Sequence, residues 1–358
     1  MRDFFPIIDL NGNAFEMGMT HGRILAKEIK ANLELYFMMV RGFTGIEPQQ
    51  CLTYAGRFLD VMQTDAPFLL EEMEGIARGA GMSLKEILFL NARSELMSMG
   101  RAPNAMKGEC TAIGLTGERT VSGKPILAQN WDWHERVHQT SAIFRIDPKQ
   151  RPKAIFLAEA GQVGKIGVNE NGVGVLLNIL IIERMEYGLP VHVLLRMVMG
   201  TKDTAEAVAM VKNTRRAGAS HFLIGDKGGN IKGLELMPLA VKEIVPSEGA
   251  VLHTNHYCDA KMAEKDVGRL LLTDTFARFD RATALISKRK KWDNKSLAEI
   301  FTNHDDAPGS ICRHAQAEDE EFLRIDTVAS CIIDLSESKM LMSCGQPCEA
   351  IYREVALL

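Results

Sequence analysis

GECTAIG, Gly108 to Gly114, and PILAQNWDW, Pro125 to Trp133, decide how this chain is read. Small residues follow Cys110, and an apolar run, Ile113 to Leu115, leads into a turn-rich segment, Thr116 to Lys124. The second stretch brings the chain back. Two β-prone runs around a Gly-containing loop read as a hairpin. A loop centred near residue 120 places Cys110 across from roughly position 130, to within a residue or two. Asp132 then sits one pleat beyond Asn130, on the same face. A thiol at a strand end, beside an amide and a carboxylate, is a candidate reactive site. Cys110 equally fits a buried structural cysteine, since free Cys is among the most buried residue types.

The chemistry suits a cysteine made N-terminal by cleavage. A free α-amino group has a pKa near 8, so a useful fraction can accept a proton at neutral pH. Such an amine lies next to its own side-chain thiol and can activate it without a distant His. Before cleavage, the same thiol could attack the Glu109 carbonyl, carry the acyl group from nitrogen to sulfur, and let water release residues 1–109.

Taken with AQNWDW, the GECTAIG segment resembles the start of the mature chain in the acyl-coenzyme A:6-aminopenicillanic acid acyltransferase family, cysteine N-terminal-nucleophile (Ntn) hydrolases of the peptidase C45 group. The resemblance continues in order through FEMGMTHGR (Phe15–Arg23), LNARSEL (Leu90–Leu96), HTNHY (His253–Tyr257) and PGSICRH (Pro308–His314). It implies an α+β, four-layer αββα Ntn-hydrolase sandwich, with residues 1–109 as a helical pro-segment and 110–358 as the β-chain, together one globular unit. It also implies Cys110 as nucleophile, Asn255 as oxyanion stabiliser and Asp132 as the group that orients the freed amine. Arg313 resembles a late family arginine, placed to hold Asp132 or a substrate carboxylate. Ser220 and Ser310 resemble serines implicated in processing. Glu109 departs from the glycine of the best-known member, which makes the strained geometry of the acyl shift harder to assume.

Read from residues alone, Asn255 also fits an Asx-turn closing a short strand, Asp132 a turn aspartate, and Arg313 a structural ion-pair partner. The implied activity is hydrolysis of a linear amide of an N-acyl small molecule or peptide through a thioester acyl-enzyme, with acyl transfer as the thioester's other fate. Two other readings stand beside it. One is an unprocessed thiol hydrolase using His134, His221, His253 or His256 as base. The other is an inactive binding protein of the same fold.

Composition is that of an ordinary soluble protein. The chain has 358 residues, 46% hydrophobic and 25% charged, with formal net charge −4, which gives no electrostatic reason to expect nucleic acid or an anionic membrane as partner. No apolar stretch approaches the ~18 residues of a membrane helix, and the N-terminus lacks a signal-peptide pattern, so the cytoplasm is expected. The expected partners are the substrate and the chain's own pro-segment, with room for a homo-oligomer. Seven cysteines without regular spacing point to reduced thiols. His253, His256 and Cys258, or Cys344 and Cys348, could suggest a metal, but neither set has a second pair at recognised spacing. No metal and no cofactor are expected.

The pattern along the chain divides in two. Residues 13–95 read as mainly helical, with Ser83 and Glu86 forming a capping box. From Cys110 on, strands and hairpins dominate, around Asn169-Glu170-Asn171-Gly172 and around Asp226–Asn230. Helices are expected near 191–199, 203–212 and 266–285, and strands near 327–335, 339–343 and 350–355.

Overall fold

In a computed structural model, residues 3–99 and 110–358 are described. A first strand, β1 (Ile7–Gly12), precedes six helices: α1 (Ala14–Ile24), α2 (Ala26–Thr44), α3 (Pro48–Gly56), α4 (Leu59–Asp65), α5 (Pro67–Ala80) and α6 (Leu84–Met97). The hairpin strands β2 (Thr111–Leu115) and β3 (Ile126–His134) follow. Next come β4 (Ser141–Pro148), β5 (Ala154–Glu159), β6 (Ile166–Asn169), β7 (Gly174–Ile179), α7 (Val191–Val198) and α8 (Thr204–Asn213). The chain continues through β8 (Ser220–Gly225), β9 (Ile231–Met237), β10 (Ala240–Ile244), β11 (Ala250–His253), the short α9 (Ala260–Ala263) and α10 (Gly268–Leu271), α11 (Thr275–Ile286) and α12 (Asn294–Phe301). It closes with β12 (Ile325–Asp334), β13 (Lys339–Met342) and β14 (Arg353–Ala356).

The strands form two sheets, one ordered β1-β4-β5-β6-β7-β8-β9-β10 and the other β11-β2-β3-β12-β13-β14. β2 and β3 of the second sheet pack face to face on β7 and β8 of the first. Helices α1, α7 and α8 contact the first sheet, and α11 and α12 the second. Helix, sheet, sheet, helix is the four-layer αββα sandwich. β2 and β3 are buried at every position, as strands covered on both faces must be.

Helices α1 and α5 are pressed together at four glycines. A Cβ on Gly18 would stand 2.0 Å from the Glu72 carbonyl oxygen, and one on Gly75 would stand 2.3 Å from that of Phe15. Gly22 and Gly79 repeat this one turn further on, against Ile76 and Met19. The FEMGMTHGR segment therefore owes its glycines to backbone approach. Residues 13–95 are mainly helical, as read, but the segment 1–109 is not helical throughout: β1 precedes the helices, and its parallel pairing with β4 ties the first segment into a sheet. The stretch near 266–285 is two helices, α10 and α11, separated by Leu272–Asp274.

Candidate active site

The β2–β3 ladder pairs Thr111 with Asn130, and continuing that register sets Cys110 across from Trp131. Pleat alternation then divides β3. Gln129 reaches the Leu177 carbonyl of the first sheet, while Asn130 on the opposite face donates to the carbonyls of Phe301 and Ile311, both at 2.9 Å. Cys110 is buried and borders a small cavity of about 20 Å³ with Arg93, Ser94, Trp131, Asp132, Trp133, Lys165, Leu177, Ile179 and His192. That is room for roughly one water. A larger open cleft of about 550 Å³, lined by Ile182, Met237, Leu239 and Leu270 among others, shares no lining residue with it.

The backbone at Cys110 is held firmly. Its carbonyl oxygen accepts from Asn178 Nδ2 at 2.9 Å and from Arg278 Nη1 at 3.1 Å. Arg278, on α11, also donates to Thr111 Oγ1 at 3.3 Å and to Asn255 Oδ1 at 3.1 Å. One guanidinium thus joins the start of β2 to Asn255. Asn255 spends its own Nδ2 on the Ile179 carbonyl at 3.0 Å. Asn178 is braced from behind by His221 Nδ1 at 3.0 Å. That ring stacks on His253, with centroids 3.6 Å apart. Burial, helped by His253, holds His221 well below the usual imidazole range, so it is neutral and Nδ1–H is the donor.

Asp132 is fully buried and accepts from Thr327 Oγ1 at 2.7 Å. Burial pushes its carboxyl up to about 7, against the pull of Arg313, Arg278 and the Thr327 hydroxyl. Arg313 does not touch Asp132. Its guanidinium pairs with Asp274, and its backbone N–H donates to Thr327 Oγ1 at 2.8 Å, so Thr327 relays between the two. Ser310 donates to the Cys312 carbonyl at 2.6 Å, and Ser220 pairs in the β8 ladder with Ile179 and Leu236. Neither borders the cavity. Glu109 lies outside the described residues.

A buried ionic cluster forms the cavity's other wall, and sequence reasoning did not assemble it. Glu159 bonds Arg93 and the Tyr36 hydroxyl, and receives Lys165 Nζ at 3.2 Å. Trp133 Nε1 donates to Tyr36 at 2.7 Å, and Lys165 lies 3.7 Å from the Trp131 ring centroid. Burial lowers the Lys165 ammonium to about 8, while Glu159 and Cys110 pull it back up. Burial also raises Glu159, but the charges of Arg93 and Lys165 and the hydrogen bonds from Tyr36 and Lys165 outweigh it and hold the carboxyl below its usual range. Arg93 lies within the LNARSEL segment, which by itself does not mark it out. A lone Asn in the apolar run Gly174–Ile179 was a signal for Asn178, since buried polar groups need partners. Arg278 gave no local signal.

None of His134, His221, His253 and His256 borders the cavity. His134 is engaged by the Glu321 carbonyl at 2.8 Å, His253 by Glu235 at 2.9 Å, and His256 by Thr275 Oγ1 at 3.0 Å. His192 does border it, with its nitrogens committed to Arg93 and to the Gly164 carbonyl. Among the described residues, two groups could hold a metal: Glu235, His253 and Cys258, and His304, Cys312, His314 and Cys348.

Two face-packed sheets with helices outside, and a buried cysteine opening an inner strand, define the Ntn-hydrolase fold class. Residues 119–349, more than half of the chain, match the family model described as acyl-coenzyme A:6-aminopenicillanic acid acyl-transferase, and the chain belongs to that family. The acyl-coenzyme A:6-aminopenicillanic-acid-acyltransferase 40 kDa form of Emericella nidulans is 28% identical over 342 residues, spanning 95% of this chain and 92% of that one. A Caenorhabditis elegans N-acylethanolamine-hydrolyzing acid amidase ortholog overlaps 63% of this chain and 93% of its own, at 16% identity and TM-score 0.45. Penicillin V acylase from Agrobacterium tumefaciens overlaps 66% of this chain and 83% of its own, at 15% identity and TM-score 0.45. Overlaps of this extent say nothing about substrate.

Proposed function

We propose that the chain is an autoprocessed cysteine Ntn enzyme that cleaves a linear amide of an N-acyl small molecule or peptide. In this reading, cleavage between Glu109 and Cys110 yields residues 1–109 and 110–358, which stay together as one unit. The observation that supports it best is the convergence on Cys110. The residue immediately precedes β2 and borders a small cavity that Asp132 also lines, and its carbonyl is fixed by Asn178 and by the arginine that also binds Asn255.

The thiolate attacks the substrate carbonyl carbon, and the electron pair moves to the oxygen, which Asn255 stabilises once its Nδ2 turns from Ile179. Removing one such donor elsewhere costs ~100–1000-fold in rate. The Cys110 α-ammonium gives its proton to the leaving nitrogen, the C–N bond breaks, and a thioester remains. Water resolves the thioester to the acid, or a second amine takes the acyl group. Hydrolysis is the favoured outcome, since transfer needs a site that excludes water and holds an acceptor. The fold does not fix the acyl group, and the relative's penicillin chemistry is not carried over.

The commitment of the four candidate histidines to other partners weighs against a Cys-His base. Incubation with a panel of N-acyl amino acids and N-acyl anilides, followed by denaturing mass analysis, tests the reading. An acyl adduct on the 110–358 fragment, released as a hydroxamate by hydroxylamine and absent in Cys110→Ala, is expected. Turnover that persists in Cys110→Ala would sink it.

A further inference from the structure

Cys348 gathers with three residues from elsewhere in the chain. His304 follows α12, Cys312 and His314 lie in the segment before β12, and Cys348 lies between β13 and β14. Their four ligand atoms all fall within 4.8 Å of one another. The sulfurs are 3.6 Å apart, and His314 Nε2 is 3.9 Å from Cys312 Sγ and 3.4 Å from Cys348 Sγ. The two Nε2 atoms are separated by 3.1 Å.

These are four of the six edges a four-ligand site would have, and the remaining two, from His304 to the sulfurs, lie within 4.8 Å. With zinc–sulfur near 2.3 Å and zinc–nitrogen near 2.1 Å, tetrahedral geometry sets edges of roughly 3.8 Å for S–S, 3.6 Å for S–N and 3.4 Å for N–N. Hydrogen bonding alone explains the cluster poorly, because two Nε2 atoms facing each other can share only one proton. A disulfide is no better an account, since its sulfurs would stand about 2.05 Å apart. One cation satisfies all four lone pairs at once. Two thiolates with two imidazoles are a borderline-soft set that suits zinc rather than magnesium or calcium.

We propose that His304, Cys312, His314 and Cys348 bind one zinc ion in a closed, four-ligand structural site. Binding releases the two thiol protons to solvent and forms two Zn–S and two Zn–N bonds. The other candidate group, Glu235 with His253 and Cys258, is already satisfied. The Glu235 carboxylate accepts from the backbone N–H groups of Cys258 and Asp259 as well as from His253. The zinc would pin the segment carrying Arg313, which lies between two of the ligands, to the loop after β13. The same segment supplies the Ile311 carbonyl that Asn130 binds. The site would thus buttress the floor beneath Asp132 without touching substrate.

The test is metal content of the full-length protein, purified without chelator and then supplied with zinc chloride. One zinc per chain is expected, and cobalt substitution should give tetrahedral d–d bands with a thiolate charge-transfer band. Cys348→Ser and His304→Ala should each hold zinc at least about tenfold more weakly against a competing chelator, whereas Cys258→Ser should hold it as the native chain does. Should a variant fail to fold, alkylation of the native chain decides: zinc should protect Cys348, the exposed thiol of the two, from iodoacetamide. No zinc uptake with equal alkylation in both states would overturn the proposal. So would metal lost in Cys258→Ser but kept in Cys348→Ser.

Discussion

At Asp132, burial and two nearby guanidiniums pull in opposite directions, and burial prevails, with the carboxyl pushed up to about 7. A raised carboxyl binds more protons folded than unfolded, so its contribution to stability is fully present below the ordinary aspartate pKa. It is lost as pH climbs toward 7, at up to ~1.4 kcal/mol per pH unit. Asp132→Asn should remove that loss. Urea midpoints taken from pH 4 to 8 should fall more steeply in the native chain than in the variant, and parallel curves would contradict the burial account. Asn255→Ala should cost about 100–1000-fold in kcat with a smaller effect on KM, provided chemistry limits turnover. An unchanged kcat in steady-state assays would remove Asn255 from the oxyanion role. At this scale Cys110, Asp132 and Asn255 were visible as candidates because each sits in a short recognisable run. Arg278 was not. It reaches the Cys110 carbonyl and Asn255 from an otherwise ordinary helix, and only tertiary packing gives it that position.

Among elements, the β2–β3 hairpin was the most legible, because a loop centre fixes an antiparallel register and with it every cross-strand pair. Helix α6 was legible at its start for the same local reason. Ser83 and Glu86 exchange capping bonds, with Ser83 N–H at 2.7 Å from Glu86 Oε2. Ser83→Ala should cost about 1 kcal/mol, read as a lower urea midpoint. The α1–α5 contact was not legible, since a glycine in a helical run announces close approach without naming its partner. A methyl on Gly75 would meet the Phe15 carbonyl at 2.3 Å, so the helices must separate to admit it. Gly75→Ala should destabilise by about 1–3 kcal/mol, despite the ~1 kcal/mol that Ala ordinarily gains over Gly inside a helix. A stabilised variant would show the contact to be looser than described.

Over the whole molecule, the first segment is bound to the rest by more than helix packing. β1 extends the first sheet beside β4. Tyr36 and Arg93 complete the Glu159 cluster, and Arg93 and Ser94 border the Cys110 cavity. The two-block organisation was readable from the change of period near residue 100, whereas the strand at 7–12 was hidden by its edge position, paired only with β4 far along the chain. A segment that supplies an edge strand and part of the cavity wall should not leave after cleavage. On native gel filtration the two pieces should elute as one species and separate only in denaturant; separate native elution would contradict the shared core.

Whether Cys110 becomes a free N-terminus, as its role as its own base requires, is read from intact mass under denaturing conditions on freshly purified protein beside Cys110→Ala. Two masses that divide the chain between Glu109 and Cys110, and one full-length mass in the variant, are the expected result. A single full-length mass in both, from protein that still turns over an amide, would contradict that role.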